Sequence, residues 1–464
     1  MKTNQQLDYH CGWRWLLPLR DPDQIALIGF SDSEIAFWQQ ALSGIALTDD
    51  TATATVWLIQ DLSLGDLANF DAPHLHTVCI IGSRSVVTTW RNALAERFET
   101  IHDYALLPPH NPRVVIPLGT SDWTTQALAL HRPGRRLARL AVFLLKTLAR
   151  IGFDRPLRSR TLCIASQATN AWPQGARLAG LDRNRIDAPQ DFALYLGSPN
   201  DHRKTVILPL GGIRQTILKC GESPQAHAAL RHEVAALQTL SQTLLAPQVP
   251  VLLDVVERDN QLALHQEYRA RQAVNRARLE QAAVAFLSEL SRLERHHRPL
   301  AEVLQRGNIL TSDAARAVGQ IAYAAVRERL DTIADAGATV WGHRSHGDFA
   351  PWNCAWTAQG FFVFDWEESR TWDVALGDAF YFVVAPAVHI ARSPNPQAVE
   401  ARAWVLVGAV AKAAGLPVGE LRMNWALWLL QRMSQQPAPL YERLLERQAK
   451  NLLIYRPTDI KGNS

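Results

Sequence analysis

The chain has 464 residues, 47% apolar and 20% charged, with a formal net charge of +4. That length exceeds one ordinary core and predicts a two-domain soluble globular protein, while so small a charge gives no case for nucleic acid as a partner. The five scattered cysteines (Cys11, Cys79, Cys163, Cys220, Cys354) form no metal-spaced pair or disulfide framework, no apolar run is long enough to span a bilayer, and the polar N-terminus has no signal-peptide core, so a reducing cytoplasm fits.

In chain order, Ile25–Ile28 reads as a buried strand leading through Gly29-Phe30-Ser31-Asp32-Ser33 into a helical run past Trp38 and Leu42. Val56–Ile59, Val78–Ile81 and Arg113–Pro117 are further apolar strands, with a helix near Val86–Phe98 between the last two. Short strands alternating with helices predict a doubly wound, Rossmann-like α/β domain over residues 1–160. The order of elements also resembles a degenerate class I methyltransferase domain. A dinucleotide or methyl-donor site needs Gly-x-Gly for close backbone approach, and only Gly29 is present, so a non-catalytic domain is the preferred reading.

Residues 135–150 make an apolar helix with Arg135, Arg136, Arg139, Lys146 and Arg150 along it. A helix lying on an anionic bilayer has this pattern, and so does the commoner linker helix packed on a domain. The span 161–186 reads as a linker, with Trp172–Asp187 irregular.

Phe192–Leu196, Thr205–Leu208 and Gln215–Lys219 are three β-prone runs joined by Gly197-Ser198-Pro199-Asn200 and Gly211-Gly212. A helix follows through Leu230, Val234, Leu237 and Leu240, then strands Val249–Val256 and Leu262–Tyr268 complete a five-stranded lobe. Helices Leu279–Leu293 and Ala315–Ala334 come next. The fifteen tryptophans read as core and groove fillers.

His346-Gly347-Asp348-Phe349-Ala350-Pro351-Trp352-Asn353 is too polar and Pro-interrupted for a helix and reads as a loop. Cys354–Thr357 and Phe361–Phe364 flank Ala358-Gln359-Gly360 as a hairpin, which brings Asn353 at its start beside Asp365 at its exit. Phosphoryl transfer from ATP needs a carboxylate for the attacking hydroxyl and two oxygen ligands for magnesium. Asp348, Asn353 and Asp365 supply that set in the order used by protein-kinase-like enzymes.

The segment from His346 to Asn353, with Asp365-Trp366-Glu367, resembles the catalytic loop and metal segment of the aminoglycoside phosphotransferase and choline kinase family. The resemblance implies an α+β bilobal protein-kinase-like fold over 187–456, with an N-lobe over 187–270 and a C-lobe over 271–456. It implies ATP and Mg2+ as cofactors, a small-molecule hydroxyl as acceptor, Asp348 as catalytic base, and Asn353 and Asp365 as metal ligands. It further implies that Lys219 grips the ATP phosphates, that Glu233 pairs with Lys219, and that Gln266-Glu267-Tyr268 meets adenine. The loop after the first strand has a single glycine, a departure from Gly-x-Gly-x-x-Gly, and Ser198 and Asn200 are left to offer polar groups to phosphate. Gly377–Phe382 is similar to an element opening a C-lobe helix, which makes Asp378 a helix N-cap and an anchor for the catalytic-loop backbone. His346 is expected to brace the loop. Rival readings are a pseudokinase or scaffold module and a bifunctional methyltransferase-kinase.

Overall fold

The computed structural model describes residues 12–19, 23–42, 45–66, 74–109, 112–130, 136–151, 155–167, 191–197, 202–211, 215–258, 261–306, 309–416 and 421–452. Ser198, Asn200 and the segment 172–187 lie outside the described residues. The chain divides into two compact units, residues 1–230 with 252–268, and residues 231–251 with 269–464.

The first unit is organised by strands whose apolar runs are too short for helices and too continuous for a half-exposed sheet. Its elements are β1 (Gln24–Ile28), α1 (Asp32–Ala41), β2 (Ala46–Thr48), β3 (Val56–Gln60), β4 (Thr77–Gly82), α2 (Arg84–Leu94), β5 (Thr100–Leu107), β6 (Val114–Pro117), α3 (Ser121–Leu130), α4 (Arg136–Arg150) and β7 (Thr161–Ser166). There follow β8 (Asp191–Leu196), β9 (Lys204–Leu210), β10 (Thr216–Gly221), α5 (Pro224–Leu240), β11 (Leu252–Arg258) and β12 (Gln261–Glu267). The boundary between units falls inside α5, after Leu230.

All twelve strands form one sheet, in the order β11-β12-β10-β9-β8-β6-β5-β7-β4-β3-β1-β2. The expected parallel sheet is only partly present. Strands β2, β1, β3 and β4 run parallel, but β7 enters antiparallel between β4 and β5, and β6 is antiparallel to β5. The architecture is therefore a mixed α/β sheet. An apolar run reports that a strand is buried but carries no sign of its direction, and both β4 and β7 are buried throughout. Strand β7 also occupies the start of the span read as a linker.

The sheet has no break where the N-terminal strands meet the later five. Val114 pairs with Tyr195 and Val115 with Leu194, and the Leu196 N–H donates to the Arg113 carbonyl at 2.7 Å. One apolar core underlies both halves. Trp13 and Leu16 from the 3-10 turn Gly12–Leu16 pack in it with Ile25, Leu58 and Val115, together with Leu194, Leu218 and Ala263.

The second unit is mostly helical. It contains α6 (Arg276–Leu290), β13 (His296–Pro299), α7 (Leu300–Arg306), α8 (Ser312–Ala317), α9 (Ile321–Asp335), β14 (Thr339–Ser345), β15 (Cys354–Thr357), β16 (Gly360–Val363), β17 (Arg370–Val374), α10 (Gly377–His389), α11 (Pro396–Ala414), α12 (Leu421–Gln435) and α13 (Pro439–Leu452). The helix expected over 315–334 is two helices, because Gly319 turns left-handed (φ 77°) after α8. Strands β13, β14 and β17 form a small sheet beside the β15–β16 hairpin. Phe380, Trp425 and Trp428 fill the core, the two indoles stacked at 5.3 Å, so these tryptophans are packing residues as expected. Among the described residues, no helix is long and apolar enough to cross a membrane.

Candidate active site

Strand β14 delivers the chain into the loop 346–353, and the hairpin β15–β16 takes it onward. The hairpin register pairs Cys354 with Val363, and the Phe364 N–H donates to the Asn353 carbonyl at 3.1 Å. Asn353 therefore lies across from Phe364, one residue short of Asp365. Asp365 takes a left-handed conformation (φ 72°), which turns the chain out of β16. Asp is among the few residues that tolerate this region, and a strained backbone at such a turn is common at functional sites.

Asp348 sits at the centre of a bonded set. The Asn353 side-chain amide donates to the Asp348 carboxylate at 2.7 Å and to its carbonyl at 2.9 Å. Tyr381, from α10, hydrogen-bonds the same carboxylate. Burial pushes the Asp348 carboxyl above its ordinary value, and the Tyr381 hydrogen bond acts against that shift. The Asp348 N–H donates to His346 Nδ1 at 3.2 Å, and His346 Nε2 lies 3.1 Å from the Phe364 carbonyl. Nδ1 accepts and Nε2–H donates, so the ring is neutral, and its complete burial holds its pKa down. His346 braces the loop as expected.

Asp378 holds the loop from below. Its two carboxylate oxygens accept from the His346 N–H at 2.6 Å and the Gly347 N–H at 3.0 Å. Burial pushes its carboxyl up to about 6. The anchoring role is as expected, but the N-cap assignment is corrected: Leu376 occupies the cap of α10 and Asp378 is the helix's second residue. Its oxygens are engaged by the loop backbone and leave the cap to Leu376. Gly347 is left-handed (φ +83°), and a Cβ there would stand 2.1 Å from the Glu368 carbonyl oxygen, so no other residue fits without displacing backbone. Arg432 donates to the Gly347 carbonyl at 2.6 Å and stacks 4.3 Å from the Tyr381 ring centre. Tyr381 and Arg432 join this bonded set although the sequence did not single them out. Tyr381 lies three residues after Asp378, on the same helix face, and that spacing was its available signal.

The remaining expected residues divide between the two units. Lys219 lies mid-strand in β10, opposite Leu264 and Val206, and is buried. Strand alternation turns it away from the core that holds Leu218 and Cys220. Gln266 is buried in β12 with both side-chain amide atoms unbonded, and the Tyr268 N–H donates to the Gln215 carbonyl. Glu233 belongs to the second unit, is fully buried in α5, and its charge acts on His346. Among the described residues, no group of three or more His, Cys, Asp or Glu converges as a metal centre.

Residues 197–382 match the family model of the phosphotransferase enzyme family. The phosphotransferase match begins at the end of β8, ends within α10, and takes in Lys219, Glu233, Asp348, Asn353, Asp365, Asp378 and Tyr381. No curated protein matches the chain. The chain is similar to the amicoumacin kinase hAmiN in complex with AMP-PNP, Ca2+ and Ami, at 14% identity over 56% of this chain and 89% of that one, TM-score 0.35. A microcompartment-associated aminopropanol kinase matches at 14% identity over 60% and 93%, TM-score 0.38. Aminoglycoside phosphotransferase APH(3'')-Id from Streptomyces rimosus, in complex with ADP and streptomycin, matches at 14% over 52% and 90%, TM-score 0.31.

Outside the phosphotransferase match, the turn after β1 is the other place where sequence invited a site. It is closed. Gly29 is left-handed, and a Cβ there would meet the Gln60 carbonyl oxygen at 2.4 Å. The Glu34 carboxylate accepts from the Ser31 N–H at 2.8 Å and the Ser31 hydroxyl at 2.7 Å, and its other oxygen accepts from Gln60 Nε2 at 3.1 Å. The first turn of α1 carries Asp32 and Glu34, whose charge opposes an anion at that end.

Proposed function

We propose that residues 187–456 are an ATP- and magnesium-dependent phosphotransferase acting on a hydroxyl of a small molecule: a sugar, amino sugar, aminoglycoside or amino alcohol. The observation that carries this reading is the setting of Asp348, a half-buried carboxylate held by Asn353 and Tyr381 before a hairpin whose exit bears Asp365. A general base is served by a carboxyl raised in this way, by burial first and then by the charge of Asp365.

Asn353 and Asp365 fit magnesium, which takes one or two protein oxygens and keeps the rest of its shell for water and phosphate. The Asn353 amide nitrogen is engaged by Asp348, which leaves its carbonyl oxygen for a cation, and Asp365 adds a carboxylate. The cation these two residues would hold would supply positive charge to offset that of the transferring phosphates. Asp348 orients the acceptor hydroxyl and takes its proton as the new O–P bond forms and the bond from the γ-phosphorus to the bridging oxygen breaks, releasing ADP. Tyr381 and Asn353 keep that carboxylate aimed, and Asp378 with Arg432 fixes the backbone that carries it. Lys219 holds the ATP phosphates and Glu233 positions Lys219, with Ser198 and Asn200 at phosphate and Gln266 and Tyr268 at adenine. These last assignments rest on the phosphotransferase match and on the order of the residues.

The test is ADP release against a panel of hydroxylated amines and sugars, with Asp348→Asn as the blank. Release that depends on one acceptor class and vanishes in the variant supports transfer. ATP binding without release for any acceptor would favour the scaffold reading instead.

For residues 1–160 we propose a non-catalytic, Rossmann-like support whose sheet extends that of the phosphotransferase region. The closed turn at Gly29 favours this over a methyl-donor site. For α4 we propose contact with an anionic membrane surface. Leu140, Phe143, Leu144 and Ile151, at helical spacing, are all exposed, and Lys146 and Arg150 add positive charge. Vesicles containing phosphatidylglycerol should float the protein and release it in Phe143→Asp; a wild-type chain that stays in solution ends that idea.

A further inference from the structure

One face of α2, carrying Arg84, Val87, Thr88, Arg91 and Asn92 at helical spacing, walls a cavity of about 260 Å³. Asp103 from β5, Arg158 from the 3-10 turn Arg155–Ser159, and Thr161 at the start of β7 close the other side. The rim continues outward along Ser83, Ser85 and Ser159. The cavity lies wholly in the first unit and outside the phosphotransferase match, so it stands independently of the function proposed above.

Three observations point to a ligand. Among the described residues, the lining charge is unbalanced, with three arginines to one carboxylate. Asp103 accepts from Arg91 at 2.9 Å and stands 3.6 Å from Arg158 through the same oxygen, while Arg84 makes no ion pair among the described residues. Next, two polar atoms are buried without a hydrogen-bond partner: the Thr161 hydroxyl and the second oxygen of Asp103. Thr161 is 2% exposed and the Asp103 side chain 6%. The Cys163 thiol, a weak donor, also hydrogen-bonds to the Asp103 carboxylate, and burial first pushes its pKa up. Buried groups left unbonded in this way oppose folding unless something returns to them. Finally, the N-terminus of α2 opens on the rim. Its cap residue Ser83 makes no capping hydrogen bond, and no acid stands in its first turn. That is the reverse of α1, and it leaves the positive end of the helix to an anion.

We propose that this cavity binds a small phosphorylated hydroxy compound of the sugar-phosphate class. The phosphate sits against Arg84, Arg158 and the first turn of α2. A ligand hydroxyl donates to the unbonded oxygen of Asp103, and the Thr161 hydroxyl donates to a ring or hydroxyl oxygen. The volume admits one ring with its phosphate.

Calorimetric titration of the full-length chain with glucose 6-phosphate, ribose 5-phosphate, glucose and inorganic phosphate tests this. At least one sugar phosphate should bind saturably, and about tenfold more tightly than inorganic phosphate, with no heat from glucose. Arg84→Ala, on the exposed rim, and Thr161→Val, deep in the cavity, should each weaken that binding about tenfold or more. Thr161→Val separates the two roles of the hydroxyl. Without a ligand the change removes an unsatisfied group, so the melting temperature holds or rises while any binding is unaffected. Three results would overturn the proposal: no saturable heat from any phosphate, binding unchanged in both variants, or inorganic phosphate binding as tightly as the sugar phosphates. The last would mark a bare anion site.

Discussion

Gly29 follows β1 with φ +80°, and Gly347 follows β14 with φ +83°. Each stands just beyond a strand, where a Cβ would strike a backbone carbonyl oxygen. Beyond that the two turns diverge. After Gly29, Ser31, Glu34 and Gln60 bond to one another, and the acids of α1 face the helix end. After Gly347, the backbone donors are taken by Asp378 from another element, which leaves the Asp348 carboxylate and the Asn353 carbonyl to meet something else. A tight glycine turn therefore sets geometry without making a site. The site comes from second elements that satisfy the backbone and leave side-chain oxygens available.

The largest expected effect breaks the active turn through its charge. Asp365→Ala should lower kcat/KM for phosphoryl transfer by about a thousandfold, as loss of one preorganised charge-stabilising group does elsewhere. Urea unfolding should move little, because Asp365 is only half-buried. Retained transfer in that variant would remove the metal assignment.

Next come the glycines themselves. Gly347→Ala and Gly29→Ala should each cost about 2 kcal/mol or more, from left-handed strain and the carbonyl contact. Only Gly347→Ala should also abolish transfer at temperatures where both variants remain folded. Equal loss of activity in both would mean that the turn after β1 takes part in the chemistry.

A smaller effect concerns pH. Asp348 must be ionised to accept a proton, and its carboxyl lies above the ordinary value of 3.8 because of burial. Asp378 is pushed up to about 6, also by burial. The acid limb of kcat/KM should therefore lie above the usual carboxylate range. Tyr381→Phe removes a hydrogen bond that favours ionised Asp348, so it should move that limb to higher pH. A limb that stays put would assign it to Asp378. Stability follows the opposite sign from a salt-bridged acid. Asp378 binds its proton more tightly folded than unfolded, so its favourable contribution is full below pH 3.8 and is lost as pH rises through about 6.

Much of this was legible in the sequence because it is local. The hairpin from Cys354 to Phe364 has its strand runs and turn residues adjacent, and its register sets Asn353 across from Phe364, the residue before Asp365. The apolar runs of β1, β3, β4 and β8 to β12 announced themselves the same way. What escaped was non-local. Strand β7 was read as linker because a short run after Arg155–Arg160 has no neighbour in sequence to pair with, yet Thr161–Ser166 is clamped between β4 and β5. The β6–β8 pairing joins residues 114 and 195, a contact no periodicity encodes. The arginine-lined cavity was hidden for the same reason: its stripe on α2 was readable as a helix face, but Asp103, Arg158 and Thr161 come from three later elements.

The smallest expected effect falls on the closed turn. Glu34 accepts from the Ser31 N–H, the Ser31 hydroxyl and Gln60, so Glu34→Ala should cost about 1 kcal/mol, the usual size of a lost helix cap. The partners left behind are exposed or half-exposed and can turn to water, which keeps the cost from rising further. Urea unfolding of the variant measures that loss. Phosphoryl transfer at saturating ATP should be unchanged, and S-adenosylmethionine at millimolar concentration should give no heat with either chain. Heat in the wild type that disappears in Glu34→Ala would show that these bonds shape a ligand site, and the contrast between the two glycine turns would collapse.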